Sequence, residues 1–281
     1  MEYEEEDVFT GEFGIASADR AITSRLLVRY PRRLPPILQK ICNALDKVTG
    51  TRLRIARAAL QSPPIRQILI LGVIVPSRTE LMASVLEQLS TTRHRVTIST
   101  IDVGDRGKFD NLNILLKRHN LSQFDWVILT DDDIAVPADF LNQFIYVLEH
   151  LHIDVGQPAH DFNSYLTWSL TRRHFGLIAR QTKFVEIGPL VALHRRAFEY
   201  VLPFPDVGMG WGLDFHWSFI AQKHSLTMGI VDALPICHLR PVGKTYDQGS
   251  ARSRGNAFLR AYGGSGRKVA LQTVRRFFTL P

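Results

Sequence analysis

Cysteine is almost absent from this chain. Cys42 and Cys237 stand far apart with no CxxC spacing. That argues against a disulfide-stapled fold or a cysteine zinc centre and reads as two reduced thiols in a cytoplasmic protein. Long apolar runs are missing as well. No window approaches the eighteen or so uninterrupted apolar residues of a membrane-spanning helix. The start, Met1-Glu2-Tyr3-Glu4-Glu5-Glu6-Asp7, is acidic where a secretory signal would be basic. Internal repeats and low-complexity tracts are lacking, and so is any RRM, KH, zinc-finger or helix-turn-helix pattern. Nucleic acid is therefore not the expected partner, despite a net charge of +7.

Acids are scarce in two particular places. Residues 20–66 carry eleven Lys or Arg and one acid, Asp46, and residues 239–281 carry nine and one acid, Asp247, whereas residues 1–19 carry seven acids and no base. A basic excess of this kind suits an anionic partner such as a diphosphate or an anionic lipid surface. With 281 residues, 45% of them hydrophobic and 22% charged, the chain can bury one sizeable core.

Composition divides the chain into an arm over 1–66, acidic then basic and helical; a main domain over 67–240; and a basic tail over 241–281. In the arm, Ile37, Leu38, Ile41, Leu45 and Val48 recur at helical spacing, and Leu53, Ala56, Ala59 and Leu60 mark a second short helix. Such a helix packs on the main domain or lies on an anionic membrane surface. The run Ile68 to Val75, ended by Pro76, reads as a buried strand of a parallel sheet. A helix through Leu81, Val85, Leu86 and Leu89 follows, then a strand from Val96 to Ile101 ending at Asp102. A helix through Leu112, Leu115 and Leu116 leads to a third buried strand, Trp126 to Leu129. This alternation is the rhythm of an α/β domain with right-handed crossovers. From about residue 150 the pattern loosens into an aromatic and Gly-rich half, and Gly243 to Gly255 with Gly263-Gly264-Ser265-Gly266 reads as mobile chain.

Three constellations carry chemistry. Asp131-Asp132-Asp133 ends the third strand, where ligands of open α/β sheets bind. Adjacent carboxylates repel one another, and Mn²⁺ or Mg²⁺ offsets that repulsion while bridging to phosphates. Asp131 and Asp133 project to one side of an extended turn, with Asp132 elsewhere. The plainer alternative is an acidic cap for the helix after Pro137. Next comes Gly208-Met209-Gly210-Trp211-Gly212-Leu213-Asp214-Phe215-His216-Trp217. Its glycines allow close backbone approach to a ligand, Trp211 offers a face to a sugar, and Asp214 is a candidate general base or else a helix N-cap. Last, His238 follows a short apolar strand, as a metal ligand or a structural imidazole. Beyond it Lys244, Tyr246, Arg252 and Arg254 form either a lid over a diphosphate or a solvated basic loop.

Taken together, strand-Pro76, Asp102, Gly107-Lys108 with Asn111 and Asn113, the aspartate triplet and the later Gly-Trp-Gly-x-acid element resemble the GT-A glycosyltransferases. The stretch from Gly210 to His238 also resembles a plant and bacterial GT-A-like family of unassigned function. The resemblance covers about residues 66–240. It implies a Rossmann-like nucleotide-binding half (67–137), with a mixed central sheet, merged with an acceptor-binding half (138–240). It implies a Mn²⁺ or Mg²⁺ site at Asp131, Asp133 and His238, and a nucleoside-diphosphate sugar, UDP-linked by preference, held by Pro76, Arg78, Asp102, Lys108, Asn111, Asp132 and Lys244. A glycan or glycoconjugate acceptor would lie against Gly188, Gly210, Trp211, Gly212 and Trp217, with Asp214 as base for inverting transfer. One departure stands out: the galactosyltransferases of this type carry adjacent acids after Gly-Trp-Gly, whereas Phe215 follows Asp214 here. The expected place of action is cytoplasmic, with peripheral contact at a membrane surface. Two rivals remain. One is a non-catalytic GT-A-like protein that binds a glycan or a membrane. The other is a haloacid-dehalogenase-type phosphatase, which would want Thr or Val where Ala135 stands.

Overall fold

Strands buried on both faces read as unbroken apolar runs, and the first of them, β1 (Gln67–Ile74), forms the middle of a three-stranded parallel unit. The computed structural model describes residues 8–9, 50–207, 210–240 and 248–280. Cys42, the helix read through Ile37 to Val48, Gly208, Lys244 and Tyr246 lie outside them.

The described chain runs α1 (Thr51–Ala59), β1, α2 (Thr79–Ser90), β2 (Arg95–Asp102), α3 (Lys108–Leu116), β3 (Trp126–Thr130), β4 (Ile134–Ala135) and α4 (Phe140–His150). It continues through β5 (Val155–His160), β6 (Ala179–Thr182), β7 (Leu190–His194), α5 (Phe198–Val201), α6 (Leu213–Lys223) and β8 (Met228–His238). It closes with α7 (Gln248–Tyr262), α8 (Arg267–Ala270) and β9 (Thr273–Phe277). The sheet order is β2-β1-β3-β7-β5-β8-β6-β9, with β4 paired to β8 outside that path. The crossovers through α2 and α3 match the strand-helix rhythm of the sequence. Parallel pairing holds for β2-β1-β3 and β5-β8, while β7 enters antiparallel between β3 and β5 and makes the sheet mixed.

Side chains alternate across the sheet, so each buried strand feeds two cores. Leu69, Leu71, Val127 and Leu129 face α3 and α6, meeting Leu112, Leu115, Leu213 and Trp217. Ile68, Ile70, Trp126 and Ile128 face the other way, toward Ile55 of α1, Val85 and Leu89 of α2, and Phe144 and Leu148 of α4. The described end of the arm is thus packed on the domain. Arg66 fastens it with two hydrogen bonds of 2.7 Å to the Glu149 carboxylate. Among the described residues no helix is long and apolar enough to cross a membrane.

The tail differs from its reading as mobile chain. Residues 248–262 form a continuous helix, and β9 adds the last strand of the sheet beside β6. Gly255 is there for contact: a Cβ at that position would stand 2.9 Å from the Cβ of Trp211 and 3.0 Å from the ring of Phe9. Packing a helix this closely needs glycine, and sequence alone does not separate that need from looseness.

The pairing directions put the carboxyl ends of β1, β2, β3, β5 and β8 along one edge of the sheet. The antiparallel β7 begins at that same edge, entered through Gly188-Pro189.

Candidate metal and transfer site

Asp131, Asp133, His238, Arg78, Lys108 and Gly188 gather at this edge. Asp131-Asp132-Asp133 follows directly on β3. The two residues of β4 then pair antiparallel with the end of β8, setting Ile134 opposite His238. The Leu239 backbone N–H donates to the Asp133 carbonyl at 2.9 Å and locks that register. His238 is thereby carried next to a triplet more than a hundred residues away in sequence, with Nε2 3.1 Å from Asp133 Oδ1.

The three acidic side chains have different surroundings. Asp132 turns inward: its Oδ2 accepts the Val75 N–H at 2.9 Å and its Oδ1 accepts from Arg78 at 3.0 Å. Its carboxylate ties the end of β1 to the end of β3. Asp131 projects outward and pairs with Lys108 Nζ at 2.5 Å. Asp133 meets Arg78 at 3.2 Å on one oxygen and His238 on the other. Burial works to raise the Asp133 carboxyl, but the hydrogen bond and charge of His238, with Arg78 and Lys108, hold it below its ordinary value. Burial works to lower His238, and the Asp133 hydrogen bond and charge, then Asp131 and Glu186, hold it above.

Asp131, Asp133 and His238 each offer a ligand atom, and these atoms all lie within 4.8 Å of one another. Ligands about 2.1 Å from one Mn²⁺ or Mg²⁺ stand roughly 3–4 Å apart, so the set closes around such an ion with small side-chain movement. The two carboxylate oxygens suit Mn²⁺ or Mg²⁺, and the imidazole nitrogen suits a transition metal. Gly188, expected against the acceptor, lies beside this cluster. A Cβ on it would come within 3.1 Å of both Asp131 Oδ2 and Lys108 Nζ, so its lack of a side chain makes room for the cluster.

The other expected donor contacts divide. Pro76 opens the turn that carries Arg78, and Asp102, exposed at the end of β2, pairs with Ile74 at the end of β1. Both border the cluster edge. Asn111 does not face a ligand: it is fully buried, donating to the Val103 carbonyl at 2.8 Å and accepting from Arg106 at 2.7 Å. It shapes the loop after Asp102 from within, because a buried amide has to satisfy its own hydrogen bonds.

The Gly-Trp-Gly region departs most from expectation. Gly210 and Gly212 have φ of +88° and +91°, a conformation that favours glycine. A Cβ on Gly210 would collide with Phe109, and one on Gly212 would stand 3.1 Å from the Gly255 carbonyl oxygen. Both positions thus need glycine for backbone geometry and packing. Trp217 is 1% exposed in the core beside Phe204 and presents no face to an acceptor. It sits one helical turn beyond Leu213 on the inner side of α6, so its spacing marked a core residue. Trp211 is half-buried, with the Phe9 ring tilted against it at 5.1 Å between centroids. Phe215, in the place of a second acid, joins Phe9, Trp168 and Phe184 in a buried aromatic cluster.

Asp214 lies in the first turn of α6 and is 7% exposed. Burial pushes its carboxyl up to about 7 and the charge of Glu186 adds to that, against hydrogen bonds from the Phe215 N–H and from Trp168. A carboxylate near neutrality is well matched to accepting a proton.

Glu186, His160, Ser164 and Trp168 were not singled out in the sequence. Glu186 Oε2 lies 3.3 Å from His160 Nε2 and accepts from Thr171 Oγ1 at 3.4 Å. Burial works to raise Glu186, while the close contact and charge of His160, with Thr167 and His238, hold it below its ordinary value. Each of these residues is alone in its segment. Only the faint signal of a polar side chain at the end of an apolar strand, as at His160 closing β5, was available.

No family model matches the chain. No curated protein matches it either. Among solved structures, it is similar to S. aureus TarS 1-349 in complex with UDP-GlcNAc, at 11% identity over 65% of this chain and 62% of that one, with a TM-score of 0.45. It is also similar to the catalytic domain of Drosophila β1,4-galactosyltransferase 7 in complex with xylobiose, at 12% identity over 67% and 80%, with a TM-score of 0.42. A third is the mannosyltransferase PcManGT from Pyrobaculum calidifontis in complex with GDP-Man and Mn²⁺, at 15% identity over 69% and 68%, with a TM-score of 0.38. This chain spans less than two thirds of the TarS fragment.

Proposed function

We propose that this protein is a metal-dependent glycosyltransferase of GT-A type, moving a sugar from a nucleoside-diphosphate sugar to a hydroxyl of a glycan or glycoconjugate. The single observation that supports it is the convergence of Asp131, Asp133 and His238 at the carboxyl end of β3, flanked by Arg78 and Lys108. Bound there, Mn²⁺ or Mg²⁺ acts as a Lewis acid toward a diphosphate leaving group.

The chain's own residues supply the rest. Asp131, Asp133 and His238 hold the ion. Arg78 and Lys108, which meet the carboxylates in this structure, are placed to turn to phosphate oxygens once the ion takes over that charge. Asp102, at the neighbouring strand end, suits the ribose or base of a uridine nucleotide. Asp214 takes the proton of the acceptor hydroxyl as its oxygen bonds to the anomeric carbon and the bond to the diphosphate breaks, which inverts that centre. Trp211, half-buried beside Phe9, is the aromatic side chain we assign to the acceptor wall. Action in the cytoplasm, with the basic arm against an anionic membrane, fits the charge distribution of the chain.

The test is release of nucleoside diphosphate from a panel of UDP-, GDP- and dTDP-sugars with and without Mn²⁺, comparing wild type with Asp133→Ala. Mn²⁺-dependent turnover of one donor, lost in Asp133→Ala, is expected. Identical behaviour of the two proteins across the panel overturns the reading. Turnover of a simple phosphate ester by both would point to a phosphatase instead.

A further inference from the structure

A buried chain of polar side chains leads away from His238, and nothing in the transfer reaction as set out above uses it. The His238 N–H donates to Ser164 Oγ at 2.8 Å, and the Tyr165 N–H returns a bond to the His238 carbonyl at 3.1 Å. Ser164 Oγ also lies 2.9 Å from His160 Nδ1, and the far side of that imidazole stands 3.3 Å from Glu186, an ion-pair contact without hydrogen-bond geometry. Glu186 is pinned in turn by Thr171 and, through its own N–H, by the Gln157 side-chain oxygen. Ser164 and His160 are shut off from solvent, and Glu186 nearly so.

We propose that Ser164, His160 and Glu186 are positioning residues that set where the His238 imidazole stands in the metal cluster. The inference rests on the metal reading of that cluster and goes beyond it. A polar chain of this kind is a poor device for stability alone, because burying a carboxylate and an imidazole costs desolvation that apolar side chains of similar size avoid. Its value lies in specifying geometry, and its two ends are informative. One end is a metal-cluster residue, held through its backbone. The other is Glu186, whose charge reaches both His238 and Asp214.

Ser164 is the link that matters most. A hydroxyl oxygen has two lone pairs and one proton, enough to accept the His238 N–H and still engage His160. Without it the end of β8 loses a side-chain anchor on the loop after β5, and the backbone bonds that remain hold the His238 imidazole less closely against Asp133. The β4–β8 pairing alone fixes only two residue pairs.

The experiment is titration of the full-length metal-free protein with Mn²⁺, reading free Mn²⁺ by electron paramagnetic resonance, well below the melting temperature of each variant. Partners outside the ligand shell typically tune metal affinity by about 10–100-fold, and a loss in that range is expected for Ser164→Ala. Ser164→Thr keeps the hydroxyl and restores affinity to within about threefold of wild type, while Glu186→Gln, which keeps size and removes charge, weakens binding several-fold. A merely structural role predicts something different: a lower melting temperature with unchanged Mn²⁺ affinity in the folded protein. Affinity within about twofold of wild type in both Ser164→Ala and Glu186→Gln overturns the proposal, and Glu186→Gln decides it alone if Ser164→Ala fails to fold. If wild type itself binds no Mn²⁺, the metal reading falls and takes this inference with it.

Discussion

The two halves of the edge teach different things. Around the aspartate triplet, chemistry is encoded locally: a buried strand stops, acids follow, and the sheet carries them to its carboxyl edge. Around Gly210 to Trp217, the same residue types that suggest a sugar site serve packing. Asp131 and Trp217 are both conspicuous in sequence, yet one pairs with Lys108 near solvent and the other lies in the core. A carboxylate is costly to bury and therefore tends to advertise its position. A tryptophan is at home in either place.

The comparison is sharpened first at Asp214, the one residue of the second region with the character of an active group. Loss of a general base typically lowers the rate by about 10²–10⁴-fold, so Asp214→Asn should abolish most transfer while donor binding persists. The same variant has a stability signature. A carboxyl whose folded value is raised destabilises the fold as pH climbs. The penalty is absent below its ordinary value, grows from there to about 7, and is complete above. Asp214→Asn should therefore melt higher than wild type at pH 8, by on the order of 4 kcal/mol at most, with the gap closing toward pH 4. Thermal melts across that range check it, and a gap of constant size would show that Asp214 is ionised at its ordinary value.

Trp217→Ala is the contrasting case. Truncating a fully buried tryptophan costs about 3–5 kcal/mol, so denaturant unfolding should register a large loss. Acceptor KM in any protein that remains folded should barely change. A KM effect without a stability effect would return Trp217 to the acceptor wall.

A smaller loss is expected of Asn111→Ala. Leaving the Val103 carbonyl and Arg106 without their partner costs about 1–3 kcal/mol and loosens the loop after Asp102. Donor KM should rise through that loop, with kcat held.

What was legible follows the same division. Strands β1 and β3 and helices α2 and α3 could be read from the residues, because buried runs are local signals, whereas the grouping of His238 with Asp131 and Asp133 came from the family resemblance. The divergence of Asp132 from its neighbours was legible too, but its partners were not, since Val75 and Arg78 belong to a different segment of the chain. Glu186, His160 and Ser164 stayed hidden for the same reason: their meaning lies in one another, across three segments. The tail was misread because glycine marks both looseness and close contact, and Gly255 against Trp211 is the second kind.

The smallest expected effect belongs to the arm. Arg66→Ala removes a part-exposed bidentate pair with Glu149, and a loss of roughly 1 kcal/mol or less, read by denaturant unfolding, should leave Mn²⁺ binding untouched.

Anomalous diffraction from a crystal soaked with Mn²⁺ and UDP tests the central claim most directly. The expected result is one manganese peak bounded by Asp131, Asp133 and His238, with diphosphate density beside Arg78 and Lys108. A manganese peak elsewhere, or diphosphate bound with no metal at those three side chains, would contradict it.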